Sequence, residues 1–272
     1  MYSKYPKTKV FLSIPIEMDK KLRKPFSRIG GKTKLVPFLL SILPKHSTYV
    51  EAFVGGGSLF FAKPLAERNV INDLDKDIIS MYEDIRDISS IPFSFDETNM
   101  SKEIFNNLLL TTQFNSIEER LFRNLYLTKN SFSGSRKCYG ENNRDEPLTY
   151  LKRNLPHFQH KLKHTNIHNA DYQEIVKEYD SPNTLFYFDP PYSKNKKGWG
   201  YENEVSLESL KDTLSKIKGE FILSYDYSPE IVNEFKDYMV IEVDTKYEIT
   251  EKYKTTKEIV VLKHQSNIIP SP

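Results

Sequence analysis

From Thr48 onward the chain follows a single local grammar: "TYVEAF", then "VGGGS", "LFFAKPLAE", "NVIND" and "LDKDIISMYEDIRD". An apolar strand, a glycine turn and an amphipathic helix form the repeating unit of a parallel α/β sheet. Further strand-like pieces come at "TNIHNA", "NTLFYFD", "GEFILSYD", "MVIEVD" and "KEIVVLKH", with helical "SLESLKDTLSKI" and "PEIVNEFK" between some of them. "SKEIFNNLLL" and "SIEERLFRNLYL" read as helices by their period. Between Lys129 and Glu146 the chain turns polar, as a surface loop or hairpin longer than a bare connection needs. The reading is an α/β core made of residues 25–90 and 165–272, interrupted by a mostly helical insertion over 91–164 and preceded by an N-terminal arm over 1–24. At 272 residues, one domain with a sizeable insertion accounts for the whole length.

Composition removes several classes. With 38% hydrophobic and 28% charged residues the chain is globular rather than disordered. Its formal net charge of +2 neither demands nor excludes a polyanion, so a nucleic-acid surface has to come from local clusters of Lys and Arg. One cysteine, Cys138, excludes an internal disulfide and a cysteine-built zinc site, and it suits a reducing compartment. "VFLSIPI" is too short and too broken by proline for a signal peptide or a membrane span, so the chain is read as cytoplasmic with no membrane partner.

Four stretches carry candidate chemistry. In "EAFVGGGSLFF" the glycines allow a sharp turn and close approach of backbone to a ligand, or else make a plain αβ turn; the spacing is not that of a dinucleotide site. Asp73 closes the run Val70-Ile71, where an acid can accept from ribose hydroxyls or cap the next helix; Asp75 and Asp77 read as that helix's first turn. In "SRIGGKTKLVPFLL" Lys32 stands at the start of a helix, an unfavourable place for a cation unless it meets an anion such as a ligand carboxylate. Finally, "LFYFDPPYSK" drives a buried strand into two prolines, neither of which can donate to a sheet. Asp189 and the Pro190 carbonyl are acceptors and Tyr192 offers a flat face, an arrangement suited to an aromatic ring bearing an exocyclic NH₂.

Taken in order, G-G-K, F-V-G-G-G, N-D and D-P-P-Y resemble the Dam-like adenine-specific DNA methyltransferases, over roughly Pro25 to His264. The resemblance implies a Rossmann-like S-adenosylmethionine-dependent methyltransferase sheet, with a target-recognition insertion before the last motif. It implies that Lys32, Phe53, Gly55, Asp73, Asp171 and Asp189 contact the cofactor, and that Asp189, Pro190 and Tyr192 grip a flipped adenine. Arg28 is a further candidate cofactor contact, although it stands where the family often has an aromatic that packs near the cofactor. "LTKNSFSGSRKCYGENNR" looks like the family's recognition hairpin, which makes Asn130, Arg136, Lys137 and Arg144 candidate DNA contacts, with Asn142 or Asn143 reading an adenine edge. The expected reaction is methyl transfer to the 6-amino group of adenine in double-stranded DNA. A cognate restriction endonuclease is the protein partner such enzymes can have. Transfer to cytosine or to adenine in RNA, or a non-catalytic DNA-binding relative, are the alternatives that the same motifs leave open.

Overall fold

The computed structural model describes residues 8–10, 23–28, 30–94, 101–131, 134–140, 146–191, 205–249 and 252–263. Its frame is an eight-stranded sheet built from β1 (Thr8–Val10), β2 (Thr48–Glu51), β3 (Arg68–Asn72), β4 (Asn166–His168), β5 (Thr184–Phe188), β6 (Glu220–Asp226), β7 (Met239–Ile249) and β8 (Lys252–Leu262). The spatial order is β1-β7-β8-β6-β5-β2-β3-β4. All pairings are parallel except those of β8, which runs antiparallel to both β6 and β7. From β2 the chain winds outward through β3 to β4, then returns to the centre as β5 and winds the other way. The reversal falls between β2 and β5, where open α/β sheets bind their ligands beyond the carboxyl ends of the strands. The doubly wound order agrees with the Rossmann-like sheet that the sequence resemblance implies, and the structure adds the antiparallel strand β8.

Strand β5 explains why its sequence is a continuous apolar run. Leu185 and Tyr187 pack into the core on one face, while Phe186 and Phe188 pack into the core on the other. A strand covered on both sides has no polar phase. The helices on the first face are α1 (Val36–Ser41), α2 (Ser58–Ala62) and α3 (Lys76–Asp87); on the second lie α8 (Tyr172–Tyr179), α9 (Leu207–Lys216) and α10 (Pro229–Glu234). Helix α2 is shorter than "LFFAKPLAE" suggests: the residue before Pro64 is pushed to extended geometry, and Lys63 has ψ 155°. The N-terminal arm is not wholly irregular, since β1 pairs with β7 and covers what would otherwise be a sheet edge.

The 91–164 segment holds α4 (Lys102–Leu110), α5 (Ile117–Lys129), α6 (Glu146–Arg153) and α7 (Leu155–Lys163). Sequence period exposed the first two; α6 and α7 are short and polar, and α7 begins on Leu155-Pro156. These helices carry no separate core. Phe105, Leu121, Tyr126, Leu151 and Phe158 join the same apolar cluster as Ile78, Met81 and Ile85 of α3. Asp84 of α3, with its side chain 1% exposed, is met by Arg120 of α5 at 2.5 Å. Replacing Arg120 by Met leaves that carboxylate buried without its cation. We expect a loss of about 2 kcal/mol in a urea melt, below the 3–5 of a fully enclosed pair because the guanidinium is partly solvated. Arg120→Lys should recover part of the loss, and an unmoved midpoint for Arg120→Met would contradict this account.

Candidate active site

Three neighbouring strands, β3, β2 and β5, each bring an acid to the wall of one cavity. Glu51 closes β2, Asp73 follows β3 and Asp189 follows β5. Each carboxyl is drawn up from its ordinary range first by burial. The structure gives each acid a different set of partners.

Asp189 sits where Pro190 and Pro191 halt the strand. Lys32 Nζ lies 3.1 Å from its Oδ1, and Ser224 of β6 donates to the same oxygen at 3.1 Å. Ser224 also bonds the Tyr187 hydroxyl at 2.9 Å. Among the described residues both contacts fall on Oδ1, so Oδ2 is the oxygen that can accept from a ligand. Lys32 is only 6% exposed, and its ammonium also lies 3.7 Å from Glu258 Oε2 of β8. The anion that its sequence position calls for is therefore supplied by the protein itself. Lys32 is also not on a helix: it precedes α1 by a turn, with its Nζ donating to the Gly30 carbonyl at 3.3 Å.

Asp73 first builds the glycine loop. Oδ2 accepts from Gly55 N at 2.9 Å and Oδ1 from Asp75 N at 2.9 Å. Tyr82 donates to the Gly55 carbonyl at 2.8 Å, so both backbone polar groups of that residue are held. Gly55 and Gly57 adopt φ of 47° and 67°, and a side chain at Gly57 would strike the Phe61 ring at 2.9 Å. Asn72 ties the neighbouring turns together through Ala52 O and Ala170 O, both at 3.0 Å. Asp171 caps α8, accepting from Gln173 N at 2.8 Å, and Phe53 lies against Tyr172 with centroids 5.1 Å apart.

Sequence reading missed Glu51, Ser224 and Glu258. Glu51 is 2% exposed and takes a hydrogen bond from Tyr49 at 2.8 Å. Burial pushes its carboxyl to about 8, with the Asp189 charge adding to the rise. The acid inside the apolar "TYVEAF" was the available signal, because an acid in a strand buried on both faces needs a local reason.

The hairpin forms as expected around the bridge Ser131↔Tyr139, but its polar side chains are directed differently. Asn130 is fully buried, capping α5 with its amide donating to Tyr126 O at 3.1 Å. It therefore has no face to offer DNA in this conformation, a correction to its expected role. Arg136 bends inward onto Asp75 and lies 3.3 Å from Asp77. Arg28 meets the same Asp75 oxygen at 2.8 Å and donates to Gly134 O at 3.3 Å. Burial pushes the Asp75 carboxyl up, but Arg136 and Arg28 more than offset it and hold it below its usual range. Lys137 is exposed at the rim. Tyr192, Asn142, Asn143 and Arg144 lie outside the described residues.

Arg28, Lys32, Glu51, Phe53, Asp73 and Asp189 line one cavity of about 1180 Å³, with Pro190, Asp171, Arg136 and Lys137 also on its wall. That exceeds the ~300–1,000 Å³ of a single small-molecule pocket, leaving room for a nucleoside-sized cofactor beside a second planar group. The donor set fits the cofactor that the resemblance implies. Desolvated carboxyls favour a cationic ligand, a cradle of tight glycines admits close approach, and Phe53 gives an apolar wall.

Compared with known proteins, residues 29–249 match the family described as D12 class N6 adenine-specific DNA methyltransferase. The Type II methyltransferase M1.LlaDCHI of Lactococcus lactis subsp. cremoris is 26% identical over 252 residues, covering 81% of this chain and 87% of that one. The Type II methyltransferase M.MjaIII of Methanocaldococcus jannaschii is 25% identical, covering 75% and 85%. A DNA adenine methylase of Vibrio cholerae is 26% identical, covering 75% and 81%.

The elevated Glu51 carboxyl has a measurable consequence. Because its folded value of about 8 lies above the ordinary value of 4.5, the folded chain holds a proton that the unfolded chain releases. The stability it confers is full below pH 4.5 and is lost as pH rises through about 8. Glu51→Gln keeps the acceptor for Tyr49 but cannot ionise. In thermal melts, the stability of wild type relative to Glu51→Gln should fall by about 3–5 kcal/mol between those limits. A pH-independent difference would show that Glu51 is ionised throughout.

Proposed function

The chain belongs to the D12 class of N6 adenine-specific DNA methyltransferases, and on that premise we propose how its cavity carries the reaction. The enzyme methylates the 6-amino group of adenine in DNA, with S-adenosylmethionine as donor. The observation that carries the proposal is the state of Asp189: one oxygen is held by Lys32 and Ser224, and the other is left to a ligand.

Phe53, Gly55, Asp73 and Asp171 would hold the cofactor. Each Asp73 oxygen already accepts one backbone N–H but keeps a second lone pair for a ribose hydroxyl. When bound, the cofactor supplies a methyl group from its sulfonium, which leaves with the electron pair of the broken bond. The amino nitrogen of adenine is a poor nucleophile because its lone pair is spread into the ring. Asp189 Oδ2 and the Pro190 carbonyl accept its two hydrogens and draw the nitrogen towards tetrahedral geometry. As the new N–C bond forms, the nitrogen gains positive charge, which Asp189 stabilises before taking the surplus proton on Oδ2. Burial raises the basicity of this carboxylate, and the Lys32 cation limits the rise. Tyr192 completes the grip by stacking on the base. Such a grip needs the base out of the duplex, so the target is flipped.

Two of the relatives are named Type II methyltransferases, and by analogy a cognate restriction endonuclease reading the same sequence is a proposed partner. No helix among the described residues is long and apolar enough to cross a membrane.

Transfer of labelled methyl groups to DNA, RNA and protein in parallel tests the substrate, with nucleoside digestion identifying the modified base. Label should enter DNA adenine; label confined to RNA or protein would overturn the reading. Asp189→Ala should lower kcat by about 10³-fold or more in a chain that still folds, as read by circular dichroism. Turnover requires ionised Asp189, and Lys32 lowers its affinity for a proton. Lys32→Met should therefore move the acidic limb of the kcat–pH profile to higher pH; a limb that stays in place or moves down would remove Lys32 from this role.

A further inference from the structure

Asp75 is asked to do more than a helix cap requires. Its Oδ1 accepts from Asp77 N at 3.1 Å, which is the capping bond of α3. Its Oδ2 receives two guanidiniums from distant parts of the chain: Arg28, before the G-G-K turn, and Arg136, at the tip of the hairpin. Arg136 is only 11% exposed, and its backbone takes a φ of 61°, a left-handed conformation unusual for a long side chain. Its own N–H is held by Ser131 Oγ at 2.9 Å. Gly134 of the hairpin is seated on the same spot. Arg28 donates to Gly134 O, and Gly134 packs so closely that a side chain there would lie 2.8 Å from Ser27 O. Behind Asp75 the contacts continue into the cavity, since its N–H donates to Asp73 Oδ1 while Asp73 Oδ2 holds Gly55 N. Hairpin, α3 cap, ribose-side acid and glycine loop are thus four links of one chain of charged and backbone contacts.

We propose that Asp75 is a positioning residue that couples the two sites, so that a filled cofactor cavity and a hairpin docked for DNA favour each other. The proposal rests on the reading of this cavity as the cofactor site and of the hairpin as a DNA-facing element. It assigns Arg136 to holding the hairpin rather than to a phosphate. The physical basis is the sharing of one carboxylate. Any shift of the first turn of α3 when the glycine loop closes on a ligand moves the anchor of Arg136, and any displacement of the hairpin strips Asp75 of charge partners beside the cavity. Coupling of this kind is reciprocal: each ligand tightens the other by the same factor.

Asp75→Asn separates this role from capping, because asparagine caps a helix as well as aspartate does but cannot hold two guanidiniums. Calorimetric titration with S-adenosylhomocysteine, with and without a duplex carrying the site found by sequencing methylated DNA, gives the coupling as a ratio of Kd values. Wild type should bind at least about 5-fold more tightly when the duplex is present. In Asp75→Asn and in Arg136→Gln the ratio should fall below about 2-fold, and the double variant should be no worse than either single one. The slope of DNA affinity against salt should stay unchanged in Arg136→Gln; a decrease of about 0.9 would make Arg136 a phosphate contact and overturn the assignment. A wild-type ratio near one, or variants of unchanged melting temperature that keep the wild-type ratio, would overturn the coupling. If wild type transfers no methyl group to DNA, the functional reading fails instead, so the two failures are distinguishable.

Discussion

Carboxylates cannot be taken out of water without a partner, and this chain ends three neighbouring strands, β3, β2 and β5, in three of them. Glu51, Asp73 and Asp189 stand at the mouth of the switch point, and each is settled by a different device. Glu51 accepts from a buried tyrosine and holds its proton to about pH 8. Asp73 accepts two backbone N–H groups and so shapes the glycine loop. Asp189 shares one oxygen between a lysine and a serine. The α/β frame brings the acids together, and the solutions to their desolvation make the cavity a place for a cation and an amine.

The frame itself was written locally. A run buried on both faces reads as apolar without interruption, and two prolines mark where it must stop, so β5 and Asp189 could be read from residues alone. Glycines at positive φ and an acid after the next strand gave away the loop and its anchor. What could not be read was direction. Lys32 plainly needed an anion, but that its anions are Asp189 and Glu258 depends on the register of β8, set more than two hundred residues later. Asn130 and Arg136 lie in a polar stretch, and polarity does not say whether a side chain faces outward or inward. Glu51 is an acid inside an apolar stretch, and what settles it, the Tyr49 hydroxyl in a strand flanked by β3 and β5, becomes visible only once its neighbours are placed.

The insertion illustrates the same point on a larger scale. By composition it looks like a separate helical body, yet Arg120 and Arg123 reach back to the acids of α3, and Phe158 packs against Phe61 at 5.1 Å. Shared apolar packing holds the insertion in register with the sheet more rigidly than a flexible linker would.

Among the described strands β8 is the last in the chain and the only one to run against its neighbours, and its reversal brings Glu258 to the corner where Lys32 meets Asp189. During synthesis the chain emerges from its N-terminus, so Lys32 and then Asp189 leave the ribosome while their companion on β8 is still untranslated. That corner is incomplete until translation has passed the strand, whichever parts of the sheet have already formed. A nascent chain therefore lacks the full charge set of the finished enzyme, and a stop codon ahead of β8 would remove a counter-charge from Lys32 as well as a strand from the sheet.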